Sequence, residues 1–181
     1  MNERNKQLNR VAIVGTQSHD IKMMLLDIIP DDMNVRIIEV EKDVIKELEV
    51  LNPDLIVVTD VVDCYRDYYL RLKKAYPEVK YLMNSDIEYL FEEMASVDGR
   101  DKLDYSTECS WRDFYSGEKK KTENGFYKFE YYSWKYSRGE DLGLQCCDMQ
   151  EMSNVLVVLA IAQLLDINLY GTARILRGDK Y

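Results

Sequence analysis

The sequence predicts an α/β fold: a parallel sheet in three layers, with an antiparallel, Tyr-rich extension and closing helices. Three observations predict it. Through residues 10–96, short apolar runs alternate with segments of helical periodicity, the pattern of β-α-β units joined by right-handed crossovers. Residues 97–150 change character to Tyr, Trp, Lys and Glu with frequent turn dipeptides. Residues 151–178 return to helix, opening with a Val-, Leu- and Ala-rich stretch.

The elements follow in order. VAIVGT at 11–16 is a short apolar run ending in glycine, a buried strand and turn. In 19–29, Ile21, Met24, Leu25, Ile28 and Ile29 share a helical face, and Pro30 with Asp31–Asp32 stops the helix. NVRIIEV at 34–40 is a second strand, and 42–51 an amphipathic helix with Val44, Ile45, Leu48 and Leu51 inward, broken by Asn52–Pro53. DLIVVTD at 54–60 is apolar on both faces and therefore central. A helix at 66–76 closes at Pro77, a fourth strand runs 79–84, and a helix follows at 86–96. In 97–150, FYKFEYYSWKY has strand composition, Asn124–Gly125 suits a tight hairpin turn, and Glu118–Glu123 is expected to be a charged, solvated loop. Helices over 150–165 and 170–176 end the chain.

Composition excludes several functions. A net charge of −9 argues against wrapping a nucleic-acid backbone or binding an anionic membrane surface. The longest apolar run, Val155–Ala162, is far short of the roughly 18–20 residues of a membrane span. The opening MNERNKQLNR lacks an apolar signal core, so a cytoplasmic location is expected. Cys64, Cys109, Cys146 and Cys147 form no CxxC pair, and with one histidine there is no zinc pattern, so four reduced thiols are expected.

Ligands on parallel sheets sit beyond the carboxyl ends of the strands, which directs attention to the residues after Val14, Val58 and Met83. His19 stands near a helix start and could meet an anion; as an ordinary surface residue it would sit beside a Ser18 or Asp20 cap. Asp60 and Asp63 could join Asp20 around a cation, and equally suit exposed loops. Ser85 and Asp86 could line the same cleft.

Three segments resemble the Mur ligases. VAIVGTQSHD looks like that family's first strand and phosphate loop. PDLIVVTDVVDCYRDYY followed by LMNSD resembles its PD-strand-TN segment, its Asp-His-x-Asp-Tyr box and its next strand. NVLVVLAIAQLLDINLYGTARILRG is similar to the helix pair closing its central domain. The resemblance implies that residues 1–181 form one central, ATP-binding-type domain: a Rossmann-like core over 10–96, an antiparallel extension over 97–150 and closing helices over 151–178. The family's N-terminal substrate domain and C-terminal domain are not expected in this chain.

The departures fall on the chemistry. A phosphate loop needs glycines for close backbone approach, a Lys for charge and a Ser or Thr for magnesium. Gly15 and Thr16 are kept, but Ser18 replaces the second glycine, His19 the Lys, and Asp20 the magnesium hydroxyl. Tyr65 falls on the metal-binding His, Cys64 on the Asp before it, and Asp60 on the Asn after Thr59. Gln150–Glu151 replaces a base-contacting His–Asn pair. The stretch before Pro53 leaves no room for the strand carrying the family's catalytic Glu. The lysine that some members carbamylate would fall near Leu72–Lys73, where a solvated helix face is the simpler reading.

The expectation is a degenerate phosphate loop at Gly15, Thr16, Ser18 and His19, no catalytic residue and no cofactor, with ATP and magnesium disfavoured. The function implied is a non-catalytic binding or regulatory domain in cell-wall or related amide-ligase biochemistry, working through a protein partner, a homodimer or a nucleotide-linked small molecule. A subunit of an ATP-dependent amide ligase is the enzymatic version. Residues 10–96 also resemble a response-regulator receiver domain, with Thr59 at the phosphorylated position, which would make the chain a pseudo-receiver signalling module. IAQLLDIN looks like half a helix-turn-helix, but its spacing and the net charge count against DNA. Strand order separates the two main readings: a receiver ends near residue 115, whereas a Mur-like core carries its sheet into the Tyr-rich strands.

Overall fold

A computed structural model describes residues 8–40, 44–60, 68–95, 102–134 and 140–178. Its elements are β1 (Arg10–Val14), α1 (Ser18–Ile28), β2 (Arg36–Val40), α2 (Val44–Leu51), β3 (Leu55–Val58), α3 (Tyr68–Ala75), β4 (Lys80–Asn84) and α4 (Glu88–Ala95). There follow β5 (Lys102–Ser106), β6 (Phe114–Ser116), β7 (Lys120–Lys121), β8 (Tyr127–Lys128), β9 (Tyr131–Ser133), β10 (Gln145–Cys146), α5 (Met149–Leu164) and α6 (Leu169–Leu176).

The main sheet has seven strands in the order β2-β1-β3-β4-β5-β6-β9. All are parallel except β9, which runs antiparallel to β6. Val11–Val14 and Leu55–Val58 are fully buried, because both sheet faces are covered there. One face carries α1, α5 and α6 on a core that includes Ile13, Val57, Tyr105 and Phe114. The other carries α2, α3 and α4 on Ala12, Val58, Tyr81 and Met83. α5 is apolar around most of its circumference, with Val155–Ala162 all buried, because it lies between the sheet and the neighbouring helices α1 and α6. Asp148 caps it by accepting from the Glu151 N–H (2.8 Å), and Glu151 reaches back past the cap to the Cys147 N–H.

The helices and the first four strands lie where periodicity places them. The antiparallel extension expected over 97–150 is present in the β6–β9 pairing and the sheet β10-β8-β7, and two further parallel strands open the stretch. β5 and β6 are a fifth and sixth parallel strand, and only β9 reverses. The short β5–β6 connection is held by a reciprocal exchange: Asp104 N–H donates to Asp113 Oδ2 (3.0 Å) and Asp113 N–H to Asp104 Oδ1 (2.9 Å). A separate antiparallel sheet, β10-β8-β7, carries the predicted Asn124–Gly125 turn, with Gly125 at φ 87°. The expected loop Glu118–Glu123 contains β7, which pairs Lys121 with Tyr127.

Candidate functional site at the carboxyl edge of the sheet

The chain leaves β1 at Val14 and enters α1 at Ser18 through Gly15, Thr16 and Gln17. Gly15 has φ 136°, and a methyl group there would lie 2.0 Å from Thr59 Oγ1 and 2.4 Å from Asp60 Oδ1. Glycine is therefore required by the close approach of the β3 end. Thr59 donates from its N–H (3.0 Å) and its Oγ1 (3.2 Å) to the Val14 carbonyl. Asp60 accepts from the Thr16 N–H at 2.7 Å with Oδ1 and from the Thr16 hydroxyl with Oδ2. A carboxylate of this chain thus holds the Thr16 amide and hydroxyl, loop donors that a bound phosphate would otherwise meet.

The other expected loop residues do not converge on an anion. Ser18 is buried as the first residue of α1, and the helix has Gln17 at its N-cap with no side-chain cap bond, so neither Ser18 nor Asp20 caps it. His19 Nδ1 meets Glu39 Oε2 at 3.1 Å, with Lys22 on the other oxygen at 3.0 Å. The hydrogen bonds from Lys22 and then His19 hold the Glu39 carboxyl below the usual range. The positive charge beside the loop is in this way turned toward β2. Asp20 is exposed in the first turn of α1, and Asp63 lies outside the described residues, as do Cys64, Tyr65 and Asp67. Among the described residues, no group of three or more His, Cys, Asp or Glu side chains could hold a metal. Residues 15–18 offer no ammonium, and the Thr16 N–H and hydroxyl already serve Asp60.

The same device repeats along the edge. Asn84 Nδ2 donates to the Thr59 carbonyl (3.0 Å) and its Oδ1 accepts from the Asp86 N–H (3.0 Å). Ser85 donates from Oγ to the Tyr105 carbonyl (3.0 Å). Asp86 accepts from the Ser106 hydroxyl and from the N–H and Oγ1 of Thr107, both at 2.8 Å. Successive strand ends β1, β3, β4 and β5 are therefore tied together by polar side chains. Tyr105, fully buried beneath them, has its phenol pushed far up, first by burial and further by Asp86 and Asp60. From the other side, Asn154 of α5 donates to Gln17 Oε1 at 3.3 Å and accepts from Gln150 at 3.3 Å. Gln150 and Glu151 are thus engaged within α5 and its cap. Lys73 donates to the Pro77 carbonyl at 2.7 Å, at the end of α3 that leads into β4 and so at the opposite edge of the sheet.

Sequence reasoning missed Ser106, Thr107 and Asn154 at this edge. The first two follow a strand that polar Lys102 and Asp104 disguise, although the Leu103–Tyr105 alternation is a period-2 signal. Asn154 could have been flagged as a polar residue on the buried face of an apolar helix. Neither described thiol near the start of α5 is activated: the Glu151 carboxylate pushes Cys147 up to about 11, and burial pushes Cys146 up to about 12.

No protein-family model and no curated protein matches the sequence. A solved structure does match in fold: a UDP-N-acetylmuramoyl-L-alanyl-D-glutamate–2,6-diaminopimelate ligase, with TM-score 0.63 over 96% of this chain at 14% identity. The fold is Mur-ligase-like. The chain spans 46% of the length of that ligase, and at this identity the likeness speaks for the fold alone. No described helix is long and apolar enough to cross a membrane.

Proposed function

We propose that this chain is a reduced Mur-ligase-like domain that does not hydrolyse ATP and acts as a binding or regulatory partner in cell-wall or related amide-ligase biochemistry. The observation that carries the reading is Asp60, whose two oxygens take the Thr16 N–H and hydroxyl. A triphosphate entering this loop would displace a carboxylate from its own donors and meet Asp60 and Asp20 with no lysine to offset them. The partner is a protein, a second copy of the chain or a nucleotide-linked small molecule. A ligase subunit would need another chain to supply both the lysine and the metal-binding histidine.

Strand order favours this reading over a pseudo-receiver. The first five strands alone have the order β2-β1-β3-β4-β5, which a receiver shares, but the sheet continues into β6 and β9 and α5 packs on β5 and β6. Calorimetric titration of the purified protein with Mg-ATP, and separately with a UDP-sugar peptide precursor, tests the proposal. No heat with ATP is expected. Micromolar ATP binding would overturn the non-catalytic reading and make the chain a ligase subunit.

A further inference from the structure

Both tryptophans of the chain stand exposed at one corner of the main sheet, Trp111 at 91% and Trp134 at 62%. Trp134 donates its N–H to the Asp113 carbonyl at 2.9 Å, which extends the β6–β9 ladder by one pair. Trp111 lies two residues before Asp113 with φ 69°, left-handed backbone that a bulky residue keeps only where its surroundings impose it. Packing does not impose it, since the indole is in solvent. Hydrogen bonds at the two ends of the β5–β6 loop do. At the first end, Ser106 Oγ accepts from the Glu108 N–H (3.0 Å) and the Cys109 N–H (2.7 Å). At the second, Asp104 and Asp113 each accept the other's N–H.

That exchange brings two carboxyl groups together, Asp104 buried and Asp113 half-buried. The cation paired with them among the described residues is Arg112, whose Nη1 is 3.5 Å from Asp104 Oδ2 and whose guanidinium lies 4.2 Å over the Phe91 ring of α4. β4 sets Met83 beside Asp104, and β9 sets Trp134 beside Asp113. The more distant charges are Lys102, two residues back along β5, Glu130, four residues back along β9, and the exposed Glu88 and Glu92 of α4. One guanidinium against two carboxylates leaves a negative charge in excess at a largely desolvated place, and one proton removes it. Burial first, and the Asp104 carboxyl after it, push the Asp113 carboxyl up, against the pull of the Asp104 N–H and of Arg112.

We propose that Asp104 and Asp113 share one proton and form a pH-sensitive latch on the β5–β6 loop. With the proton in place the exchange is closed and Trp111 keeps its left-handed backbone. When the proton leaves to solvent, the two carboxylates repel, the exchange loosens and Trp111 relaxes. The folded chain holds this proton more tightly than the unfolded chain does. The latch therefore contributes fully below the ordinary carboxylate range near about pH 4, and its contribution is lost as pH rises through the folded value.

Tryptophan fluorescence of the full chain against pH, over the range where far-ultraviolet circular dichroism stays constant, tests the latch, because both indoles sit beside it. His19, the single histidine, meets Glu39 of β2 at the other end of the sheet. A one-proton inflection above about pH 4.5 is expected. It should vanish in Asp113→Asn, where the amide oxygen still accepts the Asp104 N–H without the charge. Above the inflection that variant should also have a higher urea midpoint than the wild type, with the difference closing below about pH 4. Asp104→Asn removes the facing charge and should move the inflection down toward the ordinary range; it decides the matter if Asp113→Asn does not fold. A flat wild-type profile, or an inflection that neither variant moves, would overturn the proposal.

Discussion

Replacing Asp60 by Ala should destabilise the fold measurably while Asp60→Asn should do so much less. The Ala variant removes both acceptors of the Thr16 N–H and hydroxyl. Hydrogen bonds to a charged group contribute about 1.5–3 kcal/mol each where water cannot replace them. Thr16 is exposed and Asp60 only half-buried, so water recovers much of that loss, and a net cost of about 1–2 kcal/mol follows. In a chain of this size that lowers the melting temperature by about 2–8 °C. Asparagine keeps Oδ1 for the amide and can offer its Nδ2 to the hydroxyl oxygen, so its cost should stay below about 1 kcal/mol. Urea denaturation reads both numbers from the midpoint at unchanged slope. Asp20→Ala, in the exposed first turn of α1, is the control and should stay within about 0.5 kcal/mol. An Ala variant as stable as the wild type would refute the argument that Asp60 clasps β3 to the loop.

Three further outcomes follow from the same geometry. Gly15→Ala should cost more than about 3 kcal/mol or abolish soluble expression, since backbone strain and a clash with Thr59 and Asp60 add together; yield and urea midpoint report it. Cys147 should alkylate slowly with iodoacetamide at neutral pH, with an inflection near its value of about 11, and Glu151→Gln should move that inflection down because the carboxylate is the main cause of the rise. In acid, Asp148 and Glu39 both have folded values depressed below their unfolded ones, Asp148 first by the Glu151 N–H and Glu39 first by Lys22. Their stabilisation is present above the unfolded carboxylate range near pH 4 and is lost as pH falls through the folded values. Asp148→Asn, which still caps α5, should flatten the acid limb of a stability–pH profile.

The core was legible because its physics is local. VAIV and LIVV are short apolar runs bounded by turn residues, Gly15 after the first and Pro53 before the second, the pattern of strands covered on both faces. α5 was readable from its Val-, Leu- and Ala-rich composition. β5 was not legible, because Lys102 and Asp104 lower its strand propensity and the compensation comes from Asp113, nine residues away. At the candidate site, the sequence showed which residues a phosphate loop would lack. That Asp60 would reach back to Thr16 was invisible, since the two are forty-four positions apart and meet only through the β1–β3 pairing. The turning of His19 toward Glu39 is hidden for the same reason: β2 must lie beside β1 before the pair can form.

The competing receiver-like architecture can be tested by cutting the chain, because the two readings differ in where the cooperative unit ends. A receiver would be complete near residue 115, so a fragment ending at Gly117 should fold. In the observed arrangement that fragment loses α5, whose Met152, Val155, Leu156, Val157, Val158, Leu159 and Ile161 are buried. At about 1.5–3 kcal/mol for each large apolar side chain, their loss amounts to roughly 10–20 kcal/mol, as large as the whole net stability of about 5–15 kcal/mol typical of a domain. It would also uncover Tyr105 and Phe114, which share a core with α5. The fragment should therefore show a collapsed amide proton spectrum and no cooperative urea transition. A well-dispersed spectrum with a sharp transition would mean that residues 118–178 are dispensable to the core, and would return the receiver-like reading to first place.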